Sequence, residues 1–357
     1  MSQEIYDLHN LIRIKSNRKL RRFEKFIVED GSIDPDVEVI FGNFKPDLSG
    51  YTKIGKFWIG KHSLYCEGRY NATSYRIWFR DIESLRTTIH IQGGTLFSNE
   101  IFYIYLLEPF LMYKLTQKGI LLIHAASLTI NGRGIIISAE TGIGKTTTLL
   151  SLLLSDGSEY YADDQSIVKG DTLYSYPMPI GIRTHVVLEC GLKLKARDNF
   201  IIALHNLINV ISFYYGKLNH KVRIEDIRYN CRVNGIDSGV RSQIRQIFIL
   251  ILSNNTGVSE LKPEQALDRL IIHNRTDEEK QKLFFKFFTM YKAVYPEFDH
   301  WNKFNKLLAN LVQNDIKFYE IRMKRKFNVN EIVREIMNIV NIDLGGVDSA
   351  PKSVAKM

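Results

Sequence analysis

The sequence predicts an α/β protein in two parts: a β-rich N-terminal domain over residues 1–118, a larger α/β domain over 119–342, and a loose tail over 343–357. Two observations carry this. Residues 37–91 hold the short runs VEVIFG, YTKIGKFWIG, SLYCEG, YRIWF and TTIHI, separated by Gly, Asn and Asp, which is the pattern of strands joined by turns. Farther on, the apolar run GIIIS passes straight into AETGIGKTTTLLSLLL, so that a strand, a glycine-bearing turn and a helix follow one another. At 357 residues and 45% hydrophobic content, the chain can bury a core in each part.

Taken in order, the N-terminal runs predict an antiparallel sheet. Residues 99–118 then carry apolar side chains at helical spacing, with Ser98 as N-cap, Pro109 as a kink and Gly119 as the stop. The run LLIHAASLTI and the run GIIIS flank Asn131-Gly132, a strong hairpin signal. Next come EYYADDQSIV and DTLYSYPM, strand-like on either side of Lys169-Gly170, and the buried strand RQIFILIL. Helices are expected from near Pro263 and near Thr276, a last strand over IKFYEIRMKRK, and a final helix over EIVREIMNIV capped by Asn330.

Composition excludes several classes. The opening MSQEIYDLHN has an acidic pair and no apolar run after a basic start, so no secretory signal is read and a cytoplasmic protein is expected. Residues 199–215 are free of charge but contain His205, Asn206 and Asn209 and are short for a membrane span, which makes a buried helix the expectation and no membrane partner. Cys66, Cys190 and Cys231 form no CxxC pair, which argues against a disulfide framework or structural zinc. The net charge of +9 is gathered partly at Arg13, Lys15, Arg18, Lys19, Arg21, Arg22 and Lys25 and partly at Arg322, Lys324, Arg325 and Lys326. Such patches attract polyanions, but the sequence carries no recognisable nucleic-acid module or aromatic platform, so a solvated basic face is expected and no nucleic acid.

The chemistry concentrates at residues 139–146. A phosphate loop needs a strand, a turn whose N–H groups converge on phosphate oxygens, and a helix whose N-terminus adds its dipole. Gly142 and Gly144 permit the tight backbone, Lys145 offers charge to the β- and γ-phosphates, and Thr146 offers a hydroxyl to Mg²⁺. The candidate nucleotide-binding set is Glu140, Thr141, Gly142, Ile143, Gly144, Lys145, Thr146 and Thr147, with ATP and Mg²⁺ as cofactors. One position departs from G-x-x-x-x-G-K-[ST]: Ala139 stands where the first glycine belongs, which alanine tolerates if its φ is negative. A metal-dependent transfer also needs an acidic group, and Asp163 and Asp164 supply two at the end of a strand. Two adjacent carboxylates can divide the work, one facing the metal and one facing an acceptor hydroxyl; the sequence leaves open which does which.

Together, IHAASLTINGRGIIISAETGIGKTTTLLSLL and YYADDQSIV resemble the catalytic core of the HPr kinase/phosphorylase family and, more distantly, the ATP-dependent phosphoenolpyruvate carboxykinases that share its fold. The likeness covers roughly residues 121–168 and rests on a histidine before the loop's strand (His124), the loop itself, and the A-D-D triplet Ala162-Asp163-Asp164. The family's later R-G-L-G signature, linked to phosphorylase activity, has no counterpart, since YPMPIGIRTHVVLECG occupies its place. The resemblance implies a serine kinase in which Lys145 stabilises the transferring group, Thr146 with Asp164 holds Mg²⁺, one of Asp163 and Asp164 is the base, and His124 stands beside the γ-phosphate. The β-rich N-terminal part resembles HPr-kinase-like proteins that modify serines of ribosomally made peptides, such as lasso-peptide precursors. The implied partner is therefore a peptide or small protein, and the family's habit raises a homo-oligomer. A small-molecule kinase and a non-catalytic nucleotide switch are the competing readings. Arg183, Arg241 and Arg245 are further phosphate-binding candidates, and FFKFFTMY is expected to pack helices together.

Overall fold

A computed structural model describes residues 3–29, 34–70, 73–93, 106–155, 157–178, 180–182, 186–187, 190, 196–197, 200–204, 220–222, 239–278, 282–325 and 327–343. In chain order the first elements are β1 (Glu4–Leu8), β2 (Ile12–Ser16), β3 (Ile27–Val28), β4 (Val37–Phe41), β5 (Thr52–Ile54), β6 (Phe57–Gly60), β7 (Ser63–Tyr70), β8 (Thr73–Arg80) and β9 (Thr87–Gly93). Then come α1 (Glu108–Gln117), β10 (Leu121–Ile123), β11 (Ala125–Ile130), β12 (Arg133–Ala139), α2 (Lys145–Leu153), β13 (Ser158–Ala162), β14 (Ser166–Lys169), β15 (Thr172–Tyr174), β16 (Ile180–Ile182) and β17 (His220–Val222). The last are β18 (Arg241–Leu252), β19 (Gly257–Leu261), α3 (Pro263–Glu278), α4 (Lys282–Val294), α5 (His300–Val312), β20 (Lys317–Met323) and α6 (Val329–Asp343). The chain divides into two compact units, one of Met1–Ile123, Ile167–Gly170 and Ile271–Asn314, the other of His124–Ser166, Asp171–Leu270 and Asp315–Met357.

The first unit is built on a sheet in the order β3-β1-β2-β4-β9-β8-β7-β6-β5. The expected strands over residues 37–91 are present, and the β1–β2 hairpin adds to them. That hairpin turns at His9 and Asn10, both at positive φ, where Asp7 accepts a bond from the Asn10 N–H at 2.6 Å. The sheet is not wholly antiparallel as expected: β2 pairs with β4, and β4 with β9, in parallel. Alternation decides the faces. Tyr75, Ile77 and Phe79 of β8 are buried, whereas Arg76 and Arg80 between and beyond them are exposed.

The other face carries an aromatic row that the sequence reading missed. The register sets His90, Trp78, Tyr65, Trp58 and Lys53 side by side across β9, β8, β7, β6 and β5. Its rings are already engaged by the chain itself. Phe44 stacks on Trp78 at 6.2 Å, and the Lys53 ammonium lies 4.7 Å from the Trp58 ring centre.

Helix α1 is buried along Glu108 to Thr116. Pro109 falls in the first turn of the described α-helix, which begins at Glu108 directly after a π-helical turn at Leu106 and Leu107, and the expected start of the helix over 99–105 lies outside the described residues. Gly119 follows at φ +75°, as its stop role requires; Ser98 lies outside the described residues. Two buried charges are satisfied on the spot. Glu108 meets Arg22 at 2.7 Å, and the Lys114 ammonium donates to the Ser84 carbonyl while burial pulls its pKa down to about 8.

Residues 271–314, expected in the second domain, belong to the first unit because α4 and α5 bury aromatic faces there. Phe287 meets Phe57 at 5.3 Å, and Tyr113 meets Phe288, Phe298 and His300 at 5.0, 5.3 and 5.4 Å. Packing is thus the role of FFKFFTMY at Phe287, Phe288 and Tyr291. Thr276 starts no helix, since α3 runs through it to Glu278.

The second unit's sheet runs β15-β18-β12-β11-β13, with β20 parallel on β18 and β19 antiparallel on β20. The Asn131-Gly132 turn joins β11 to β12 at φ +50° and +75°, as the hairpin signal requires. Strands β12, β18 and β20 are parallel neighbours, and GIIIS in β12 and IFILIL in β18 read as nearly continuous apolar runs, the signature of strands covered on both faces. On one face, Ile135, Ile137, Leu250 and Ile321 pack with Leu149 and Leu153 of α2 and with Ile332, Ile336 and Val340 of α6. The cap of α6 is Asn328 rather than Asn330: its side-chain oxygen accepts from the Asn330 N–H at 3.0 Å. Most of residues 199–215 and all of the tail beyond 343 lie outside the described residues. Among the described residues, no helix is long and apolar enough to cross a membrane.

His300 makes the first unit acid-sensitive. It is 4% exposed, neither ring nitrogen has a hydrogen-bond partner among the described residues, and burial lowers its pKa from 6.5 to about 3. Between those values the unfolded chain binds a proton that the folded chain refuses. Its contribution is therefore complete above pH 6.5 and falls by about 1.4 kcal/mol per pH unit on acidification toward pH 3. Urea unfolding at stepped pH should show a shallower acid loss for His300→Phe than for the parent chain.

Candidate functional site

The position of the site follows from strand direction. Strand β11 is antiparallel to β12, with Ala125 opposite Ser138, and antiparallel to β13, with Ser127 opposite Ala162. The start of β11 therefore lies beside the ends of β12 and β13. His124 precedes β11, residues 140–144 follow β12, and Asp163 and Asp164 follow β13, so all three segments meet at one end of the sheet. Ser166, which the sequence reading did not single out, fixes the turn after the Asp pair by donating to the Ala125 carbonyl at 2.9 Å and the Ser127 hydroxyl at 2.8 Å.

The loop has the backbone its glycines allow. Gly142 and Gly144 sit at φ +88° and +91°, and Gly144 is the N-cap of α2. No side chain caps that helix, which leaves N–H groups of its first turn available to an anion. Ala139 is fully buried, pairs with Leu250 and is not at positive φ, so alanine serves in place of glycine. Glu140, Thr141 and Gly142 are exposed, and Ile143 turns into the core. Thr147 is 3% exposed and its carbonyl accepts from Cys190, so the side chain expected at the nucleotide packs inward.

The polar side chains form two linked pairs. Lys145 Nζ lies 2.7 Å from His124 Nε2, and both groups are 6% exposed. Thr146 donates its hydroxyl to Asp163 Oδ1 at 2.8 Å, and Asp163 is 4% exposed. Lys145 also reaches Asp164 Oδ1 at 3.7 Å, and that side chain is 58% exposed. The two carboxylates are thus unlike: one is buried and tied to the loop threonine, the other open to solvent beside the lysine. Of the two carboxylates, Asp163 is the one hydrogen-bonded to Thr146, and Asp164 is the one beside Lys145.

Of the arginines, Arg183 lies outside the described residues. Arg241 and Arg245 are exposed beside the start of β12, where Gly134 pairs with Ile244, whereas the loop leaves from Ala139 at the far end. Five residues of strand, roughly 17 Å, separate the two levels, so these arginines are not loop ligands. Phe327 was missed. Its ring lies against the loop, and a Cβ on Gly144 would stand 2.3 Å from Phe327 Cζ. No sequence periodicity marks such a contact.

No protein-family model and no curated protein matches this sequence. Among solved structures, the chain is similar to the Hpr(Ser) kinase/phosphatase from Coxiella burnetii, at 10% identity and a TM-score of 0.26, over 63% of this chain and 99% of that one.

Gly144 is constrained twice, by φ and by Phe327. Gly144→Ala should cost about 1–2 kcal/mol for the left-handed backbone alone, and more with the ring in place. In a Phe327→Ala background, urea unfolding should return the penalty to the backbone cost; equal penalties in both backgrounds would show that the ring is no obstacle.

Proposed function

We propose that this chain is an ATP- and Mg²⁺-dependent kinase that transfers the γ-phosphoryl group to a serine hydroxyl of a peptide or small protein. The observation that carries the reading is the meeting of an uncapped helix N-terminus and a buried lysine with two carboxylates of opposite exposure.

The loop N–H groups and α2 hold phosphate oxygens, and Lys145 supplies the charge that stabilises the transferring group. His124 Nε2 holds the Lys145 amine at 2.7 Å and so restrains where that charge sits. The Thr146 hydroxyl and the Asp163 carboxylate suit Mg²⁺, a hard cation that takes oxygen ligands, keeps waters and is completed by nucleotide phosphates. When bound, it would offset charge on the β- and γ-phosphates. Asp164 is the candidate base: it takes the proton of the acceptor hydroxyl as that oxygen bonds to phosphorus and the bond to the ADP oxygen breaks. Its open position leaves room for an acceptor carried on a chain. The serine comes from the sequence resemblance around residues 121–168, and the peptide from that of the β-rich N-terminal part.

Transfer of labelled phosphate from ATP to candidate peptides, with acceptors found by mass spectrometry after co-expression, tests this directly. Asp164→Asn should lower kcat by about 10²–10⁴ with little change in nucleotide affinity, while Asp163→Asn should raise the Mg²⁺ concentration required. Lys145→Ala should abolish transfer, and transfer that survives it would sink the mechanism.

A further inference from the structure

On the sheet face opposite α2, a cavity of ≈ 440 Å³ lies between β19, β20 and α3. Its size falls within the range of small-molecule sites. The register explains its lining. Ser259 pairs with Glu320 and Gly257 with Arg322, so these four residues share one face, while Tyr319 and Ile321 between them pack into the core with α2. A Cβ at Gly257 would come within 3.9 Å of Arg322 Nη2, so glycine keeps the space above that guanidinium open.

The charges inside are arranged around one carboxylate. Glu320, with 9% side-chain exposure, accepts from Arg269 Nε at 3.1 Å and has Arg322 Nε at 3.8 Å. Two guanidinium groups thus share one buried carboxylate. The side chains of Arg269 and Arg322 are 44% and 39% exposed, and their Nη groups make no bond to protein among the described residues. Arg322 Nε is buried and also lacks a hydrogen bond, since 3.8 Å is ion-pair distance only. Two further carboxylates, Glu260 of β19 and Asp268 of α3, also line the cavity, and both are exposed to solvent.

We propose that this cavity binds a small organic anion, a carboxylate or a phosphomonoester, gripped by the Nη donors of Arg269 and Arg322. Paired guanidinium forks match the two oxygens of such groups in geometry and charge. Glu320 acts as the anchor that aims both forks, and the Ser259 hydroxyl and Gln265 amide line the remaining space. The site is separate from the nucleotide loop, being built on the face turned away from α2.

Calorimetric titration of the full chain with succinate, glycerol 2-phosphate and inorganic phosphate tests the assignment and distinguishes carboxylate from phosphate sources. At least one probe should bind with Kd below about 1 mM. Arg269→Gln and Arg322→Gln should each weaken it about tenfold or more, and Arg269→Lys and Arg322→Lys, which keep the charge but lose the fork, by a smaller factor. Asp268→Asn should tighten it, and Lys145→Ala should leave it unchanged. Absence of binding by all three probes, retention in both lysine and glutamine variants, or loss on Lys145→Ala alone would each overturn the proposal.

Discussion

Strand β11 runs against both of its neighbours, and the chemistry of the second unit depends on that reversal. A strand parallel to β12 and β13 would carry His124 to the opposite end of the sheet. Because it is antiparallel, the residue before it meets the residues after the other two, and Lys145 gains a buried partner at 2.7 Å. That partner matters energetically. An ammonium group at 6% exposure would be costly without a polar contact, as would the Asp163 carboxylate without the Thr146 hydroxyl. Direction of the strands thus makes the buried charges tolerable as well as bringing them together.

The parts legible in the sequence were those written locally. The Asn131-Gly132 hairpin, the loop with Gly142 and Gly144, the strand β18 and the helix from Pro263 each depend on neighbours a few residues away. What was not legible depends on long-range pairing. The parallel ladders β2–β4 and β4–β9 join segments whose alternation is equally suited to antiparallel neighbours. Helices α4 and α5 are recognisable as amphipathic, but nothing in their spacing says that Phe287 meets Phe57 rather than the sheet of the second unit. The same holds at the site. The pair Asp163-Asp164 can be read from the sequence, yet which of them faces Thr146 is set by the turn that Ser166 ties to Ala125 and Ser127.

The aromatic row of the first unit shows a similar limit from the other side. Trp58, Tyr65, Trp78 and His90 lie on separate strands, and only the register turns them into a row. Their rings are then occupied by Phe44 and Lys53 from the same chain. Such contacts make the row a self-contained packing surface, which differs from a bare platform on which bases could stack.

Buried charge offers a physical way to separate frame from site. In the first unit, Glu108 is matched by Arg22 and Lys114 by the Ser84 carbonyl, and in each case the partner comes from the same unit. In the second unit the buried charges are matched asymmetrically. Lys145, at 5% side-chain exposure, leans toward an Asp164 that is 58% exposed, and Glu320, at 9%, holds two guanidinium groups about 40% exposed. A frame gains nothing from leaving one half of a charged pair in water, where screening weakens it. A binding site does, because the exposed half is the part that an arriving ligand can engage.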